Sequence, residues 1–156
     1  MIGIKAVASG KEYRLDTLAP GHLQYMDRLY EFSYVPEQLR GCTHIRTCGD
    51  DKMIGEEDWC FTVETDRAYD VYVLYPDKQP VLPRWLETYR RVRMNVTRVD
   101  SMAFNLKGYF SCYHRRFEPG EIRFYGNSPS AMLAEEWYVA SRGNTYCMYS
   151  VAMKEV

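Results

Sequence analysis

Tyr69-Asp-Val-Tyr-Val-Leu-Tyr-Pro-Asp-Lys-Gln-Pro-Val-Leu-Pro-Arg-Trp-Leu86 is the stretch on which the fold turns. In an extended chain Val71, Val73 and Tyr75 share one face, and Tyr72 and Leu74 the other. With both faces apolar, the segment reads as a central strand covered on two sides. Pro76, Pro80 and Pro83 then take the chain out of the sheet, since a central strand tolerates none of them. Pro83 suits the first position of a short helical turn near residues 83–90, with Trp85 and Tyr89 following on one side at i,i+4 spacing. A buried strand therefore feeds a stiff, proline-set platform that carries two large aromatics.

Outward from this stretch, short alternating segments recur. They are expected near residues 1–10, 11–18, 29–35, 42–48, 59–64, 94–100, 108–117, 121–125 and 144–153, separated by turn signals such as Pro20-Gly21 and Pro36 to Gly41. Pro119-Gly120 fits a type II turn, which predicts a hairpin over residues 108–125. Residues 131–141 fit either a short helix or an irregular strand. About ten short strands without a long amphipathic helix predict an all-β fold, an antiparallel two-sheet β-sandwich of jelly-roll type. At 156 residues the chain reads as a single β-sandwich domain, residues 1–156, large enough to bury roughly 70% of its unfolded surface.

Bulk composition narrows the partners. Twenty Lys and Arg against 21 Asp and Glu leave a net charge of −1, so no global field favours a nucleic acid. No stretch approaches 18 uninterrupted apolar residues, so no membrane span is expected. The apolar start lacks a charged n-region and reads as a strand instead of a signal peptide. This leaves open an intracellular protein or a piece of a longer secreted one. Fourteen tyrosines favour strands, and also surfaces that bind through flat, half-polar rings.

Catalytic signatures are lacking: no GxSxG, HExxH, P-loop or GxGxxG occurs. No cofactor is expected. Five cysteines match no redox or zinc spacing. Cys42, His44 and Cys48 alternate onto one strand face, so a zinc site is conceivable there, with buried thiols acting as small hydrophobes as the alternative. The acidic loop with Asp50, Asp51, Glu56, Glu57 and Asp58 offers acid and base groups or hard oxygen ligands, or else is a solvated loop. Arg46 presents a planar fork suited to a sugar hydroxyl or carboxylate; the alternative is an internal pair with Asp50 or Asp51. Trp59, Phe61, Tyr113 and Tyr146 read as core. Trp85 and Tyr89, carried on a loop, are candidates for stacking on a sugar face.

Five motifs occur in order: Cys42-Thr-His-Ile-Arg-Thr-Cys-Gly-Asp-Asp-Lys52, Asp70-Val-Tyr-Val-Leu-Tyr75, Leu82-Pro-Arg-Trp-Leu86, Phe117-Glu-Pro-Gly120 and Tyr125-Gly-Asn127. Together they resemble a β-sandwich module found at the ends of large secreted bacterial polysaccharide lyases and glycoside hydrolases. There an IRTxxDDK segment, a VYVAYD strand, an LPxWL turn and a hairpin ending in GGN recur. The likeness spans most of residues 26–153. It implies a non-catalytic, carbohydrate-binding accessory module, outside the cell, whose partners are a polysaccharide or oligosaccharide and the catalytic domain of a larger enzyme. It carries over Arg46, Asp50, Asp51, Lys52, Tyr75 and Trp85; Tyr89 joins them from the platform. The five cysteines and the arginine-rich residues 82–92 depart from the pattern. A structural or protein-contacting β-sandwich with no sugar ligand is the alternative, and a small hydrolase or lyase using the acidic loop is a third.

Overall fold

A computed structural model describes residues 1–144 and 146–156. Its strands are β1 (Ile2–Val7), β2 (Arg14–Thr17), β3 (Tyr30–Tyr34), β4 (Thr43–Arg46), β5 (Trp59–Thr65), β6 (Tyr69–Pro76), β7 (Arg90–Asp100), β8 (Ala103–Phe117), β9 (Gly120–Tyr125) and β10 (Ser150–Glu155). They form two antiparallel sheets, a small one in the order β1-β5-β9 and a large one in the order β2-β4-β10-β6-β8-β7-β3. The all-β sandwich read from the alternation is the fold observed. Of the expected strand over residues 144–153 only the last part is realised, as β10 from Ser150; the described residues before it are not in a strand, and residue 145 lies outside the described residues.

The central position read for residues 70–75 also holds, because β6 sits between β10 and β8. Val71, Val73 and Tyr75 enter a core between the sheets, where they meet Phe61, Val63, Ile122 and Phe124. Leu74, on the opposite face, joins a second cluster with Phe32, Leu39, Phe110 and Ala152. Each of these side chains gains about 1.5–3 kcal/mol by leaving water, so a strand apolar on both faces needs two covers. The second cover is β3 with the short 3-10 turn Glu37–Leu39, whose Leu39 is buried. Isolated bridges from Leu23 to Glu31 and from Tyr25 to Thr47 link β3 back toward β4, so the large sheet curls over this cluster.

One expected pairing is overturned. Residues 108–117 and 121–125 do not form a hairpin: β8 belongs to the large sheet and β9 to the small one. The Pro119-Gly120 turn, with Gly120 at φ 139°, carries the chain across the sandwich. Beside it the chain crosses between β5 and β6, so that Gly120 pairs with Thr65 and Phe117 with Tyr69. The same corner holds both chain ends. The Met1 amino group pairs with Asp66, Val156 N donates to Ala68 O at 3.1 Å, and Arg67 pairs with Glu155 at 2.8 Å. The true hairpin is β7 with β8, closed without Gly or Pro by Asp100, whose carboxylate accepts the Met102 amide at 2.8 Å.

Outside the sheets, the expected helical turn after Pro83 is a 3-10 segment, Arg84–Thr88, and another spans Gly49–Met53. The ambiguous residues 131–141 resolve as two short helices, α1 (Ser130–Leu133) and α2 (Glu136–Ala140). Among the described residues no helix is long and apolar enough to cross a membrane.

Candidate functional site

Two of the aromatics singled out in the sequence serve one local structure. Tyr75 Oη donates to Asn127 O at 2.7 Å, Trp85 Nε1 to Gly126 O at 2.9 Å, and Tyr149 Oη to Tyr125 O at 2.6 Å. Three ring donors thus hold three successive carbonyls at the end of β9. Glycine is required at the middle position, since a Cβ on Gly126 would lie 2.0 Å from Gly55 O. Tyr75 is buried and Trp85 half-buried, its ring edge-on to Tyr149 at 5.2 Å and to Tyr89 at 5.8 Å. Tyr89 is buried too, and burial raises its phenol pKa well above the ordinary value. The platform therefore faces inward.

Asn127, once fixed, organises what surrounds it. Its Nδ2 donates to Lys52 O at 3.2 Å and Cys147 O at 3.0 Å, and its Oδ1 accepts Tyr149 N at 3.0 Å. Ser128 Oγ adds a 2.7 Å bond to Lys52 O. Lys52 Nζ then reaches across to Gly143 O at 3.1 Å and Tyr146 O at 3.2 Å.

The remaining candidates disperse. Asp51 is buried, accepting from Tyr13 Oη at 2.5 Å and Ser9 Oγ at 2.9 Å with Lys11 at 3.5 Å. Asp50 pairs with Arg28 at 2.7 Å, and that hydrogen bond holds its carboxyl below the usual range. Arg46 pairs with neither aspartate. It shares the β2 side of β4 with His44, donating to Tyr25 O at 3.2 Å with Asp16 at 4.0 Å. In the acidic loop, Glu56 is buried and accepts the amides of Arg84 at 2.7 Å and Ser130 at 2.8 Å. Burial pushes its pKa up, but these bonds outweigh that and hold it low. Cys42 and Cys48 enter different clusters, so with His44 they do not share a face. All five cysteines are free.

Lys52 does line an open cleft of about 310 Å³, at the lower end of the about 300–1,000 Å³ typical of small-molecule sites. Arg28, Arg98, Tyr30, Tyr146 and Cys147 complete its working wall. Arg28 is set by Asp50 and by Asp27, which also accepts the Gly49 amide at 2.6 Å and the Asp50 amide at 3.0 Å. Arg98 stacks its guanidinium on the Tyr30 ring, 3.9 Å from the centroid. Burial lowers the Lys52 pKa. Tyr146, expected in the core, lines this cleft and packs at 6.2 Å on Trp137, whose indole is 53% exposed. Trp59 is also more exposed than alternation implies, because a register shift between Trp59 and Phe61 breaks the pattern.

Arg28, Tyr30, Arg98 and Trp137 did not stand out in the sequence. An arginine at an inward position of β7, two residues from the buried Val96, is the one signal that marks the cleft beforehand.

No protein-family model and no curated protein matches the chain. Among solved structures, it is similar to a β-glucuronidase from glycoside hydrolase family 2, with a TM-score of 0.71 and 23% identity over 96% of this chain. The chain spans 14% of that enzyme's length, so what is shared is the fold of one part of a larger protein.

Proposed function

We propose that residues 1–156 form a non-catalytic carbohydrate-binding accessory module that engages a polysaccharide outside the cell on behalf of a larger enzyme. The observation that carries this reading is the exposed Trp137 indole, continued by Tyr146 into a cleft furnished with Lys52 and Arg98 donors. A ring at the lip stacks on the C–H face of a sugar while donors inside bond its oxygens. In this reading Lys52 touches ligand and Asp50 sets Arg28. Tyr75, Trp85 and Tyr89 stiffen the wall behind them; Arg46 and Asp51 brace the flanking strands. The fold likeness to part of a glycoside hydrolase supports the accessory role.

The test is Trp137→Ala. With half its surface already in water, the variant should lose less than about 1 kcal/mol of stability, yet weaken oligosaccharide binding by about tenfold, the equivalent of ~1.4 kcal/mol. A glycan array blank for the parent chain sinks the proposal, as does unchanged affinity in the variant.

A structural or protein-contacting role has its own support at the β7–β8 hairpin tip, where Met102, Phe104 and Leu106 are exposed by 81%, 64% and 58%. Apolar side chains grouped this way favour contact with another protein surface. On this reading, sedimentation at rising concentration shows self-association that Phe104→Ser removes; a parent chain that stays monomeric throughout counts against it.

A further inference from the structure

We infer that the cleft is built for an acidic sugar, its carboxylate or sulfate ester held by Arg98 and Lys52. This rests on the carbohydrate reading above and names the class of sugar.

Arg98 is 8% exposed, and among the described residues it has no carboxylate partner. Nη2 meets Cys147 Sγ at 2.8 Å, the ring of Tyr30 covers one face, and Nε has no hydrogen-bond partner among the described residues. Removing a charge from water costs several kcal/mol unless an opposite charge and hydrogen bonds compensate. A thiol and a ring face are weak compensation for a fork of five donors. The position is nevertheless made for this side chain. Arg98 pairs across the strands with Gly108, where a Cβ would come within 2.2 Å of Nε. Gly108 thus leaves the space in which the Arg98 side chain lies against β8, while its guanidinium reaches the Tyr30 ring at the cleft wall.

Lys52 repeats the pattern. It is half-buried, and its ammonium is bonded to two carbonyls and to no carboxylate among the described residues. Arg28 is neutralised by Asp50 and Asp27, which leaves Arg98 and Lys52 as the uncompensated pair on a wall that carries no acidic side chain among its described residues. A planar or tetrahedral oxyanion is the ligand chemistry that such charged donors recognise, because hydrogen bonds from charged groups are stronger than neutral ones. The tyrosines of the same wall then meet the sugar ring that bears the anion.

The experiment titrates the intact chain with oligogalacturonate, with a neutral galacto-oligosaccharide of equal length, and with sodium sulfate. Calorimetry gives affinity, and amide shifts give location. Expected is binding of the acidic oligomer at least about tenfold tighter than the neutral one, lost by about tenfold in Lys52→Gln and Arg98→Met. Arg98→Lys, which keeps the charge, should lose less. Salt should weaken the acidic oligomer alone. Equal affinity for both oligomers, indifferent to Lys52→Gln, overturns the acidic-sugar inference and leaves the carbohydrate reading standing. Shifts at Lys52, Arg98 and Tyr146 with sulfate alone, and none with either oligomer, keep the anion site and remove the carbohydrate reading. Silence with all three overturns both. The shift mapping uses the parent chain, so it stands even where a variant fails to fold.

Discussion

Trp85→Ala should lower the unfolding free energy by about 3 kcal/mol, the lower end of the ~3–5 kcal/mol seen for large aromatic truncations because the ring is half-buried. Two losses combine. The indole packs edge-on against Tyr149 and Tyr89, and its removal opens a cavity at the seam between the sheets. Its Nε1–H also satisfies Gly126 O, a carbonyl whose residue is wedged against Gly55. Trp85→Phe separates the two effects: most of the packing stays, the donor goes, and the cost should fall to about 1–1.5 kcal/mol. Urea melts with an unchanged slope measure both. A loss below 1 kcal/mol in the alanine variant means the ring is not structural, and the original assignment of Trp85 as a sugar platform regains its standing.

Acid should unfold the protein earlier than its carboxylates alone require, because of His44. Its side chain is fully buried, edge-on to Phe32 at 5.0 Å, and neither ring nitrogen has a hydrogen-bond partner among the described residues. Burial drives its pKa down to about 3, opposed by Asp16 and reinforced by Arg46 and His22. In the unfolded chain the group takes a proton near pH 6.5. The unfolded state therefore binds more protons between these values, and stability falls as the pH drops below about 6.5, by about 1.4 kcal/mol per pH unit. Between pH 7 and 5 the loss should approach about 2 kcal/mol. Asp50, held low by Arg28, and Asp70, held low by Arg116 and His114, keep their contribution above about pH 4 and lose it only below, so they do not enter this window. His44→Leu keeps the volume and removes the proton site. Its stability should be flatter than the parent's across pH 7 to 5, and parallel curves disprove the assignment.

These cases show which features were legible. Strand β6 was readable because period-two apolarity on both faces has one structural solution. The turn after Pro83 was readable because proline fixes the local backbone. Pairing was less so: Pro119-Gly120 makes the same turn whether the chain folds back or crosses to the facing sheet, and only the β5–β9 register distinguishes the two. The sequence leaves the burial of Trp85 open, and the structure half-buries it, because the Gly126 carbonyl takes its indole N–H. The cleft was hardest to see. Its wall is gathered from Arg28, Lys52, Arg98 and Tyr146, which lie far apart in the chain; Asn127 ties Lys52 to Cys147, Asp27 and Asp50 set Arg28, and Tyr30 and Cys147 hold Arg98.

Strands β6, β8 and β10 run from the corner gripped by Met1 and Val156 to the cleft, with Tyr69 and Glu155 at one pole and Leu74 and Ser150 near the other. Eight residues of β6 at roughly 3.3 Å each separate the poles by about 25 Å. Any polypeptide fused at either end is thus moored on the side remote from the aromatic lip. Whatever is attached there leaves the mouth of the cleft uncovered.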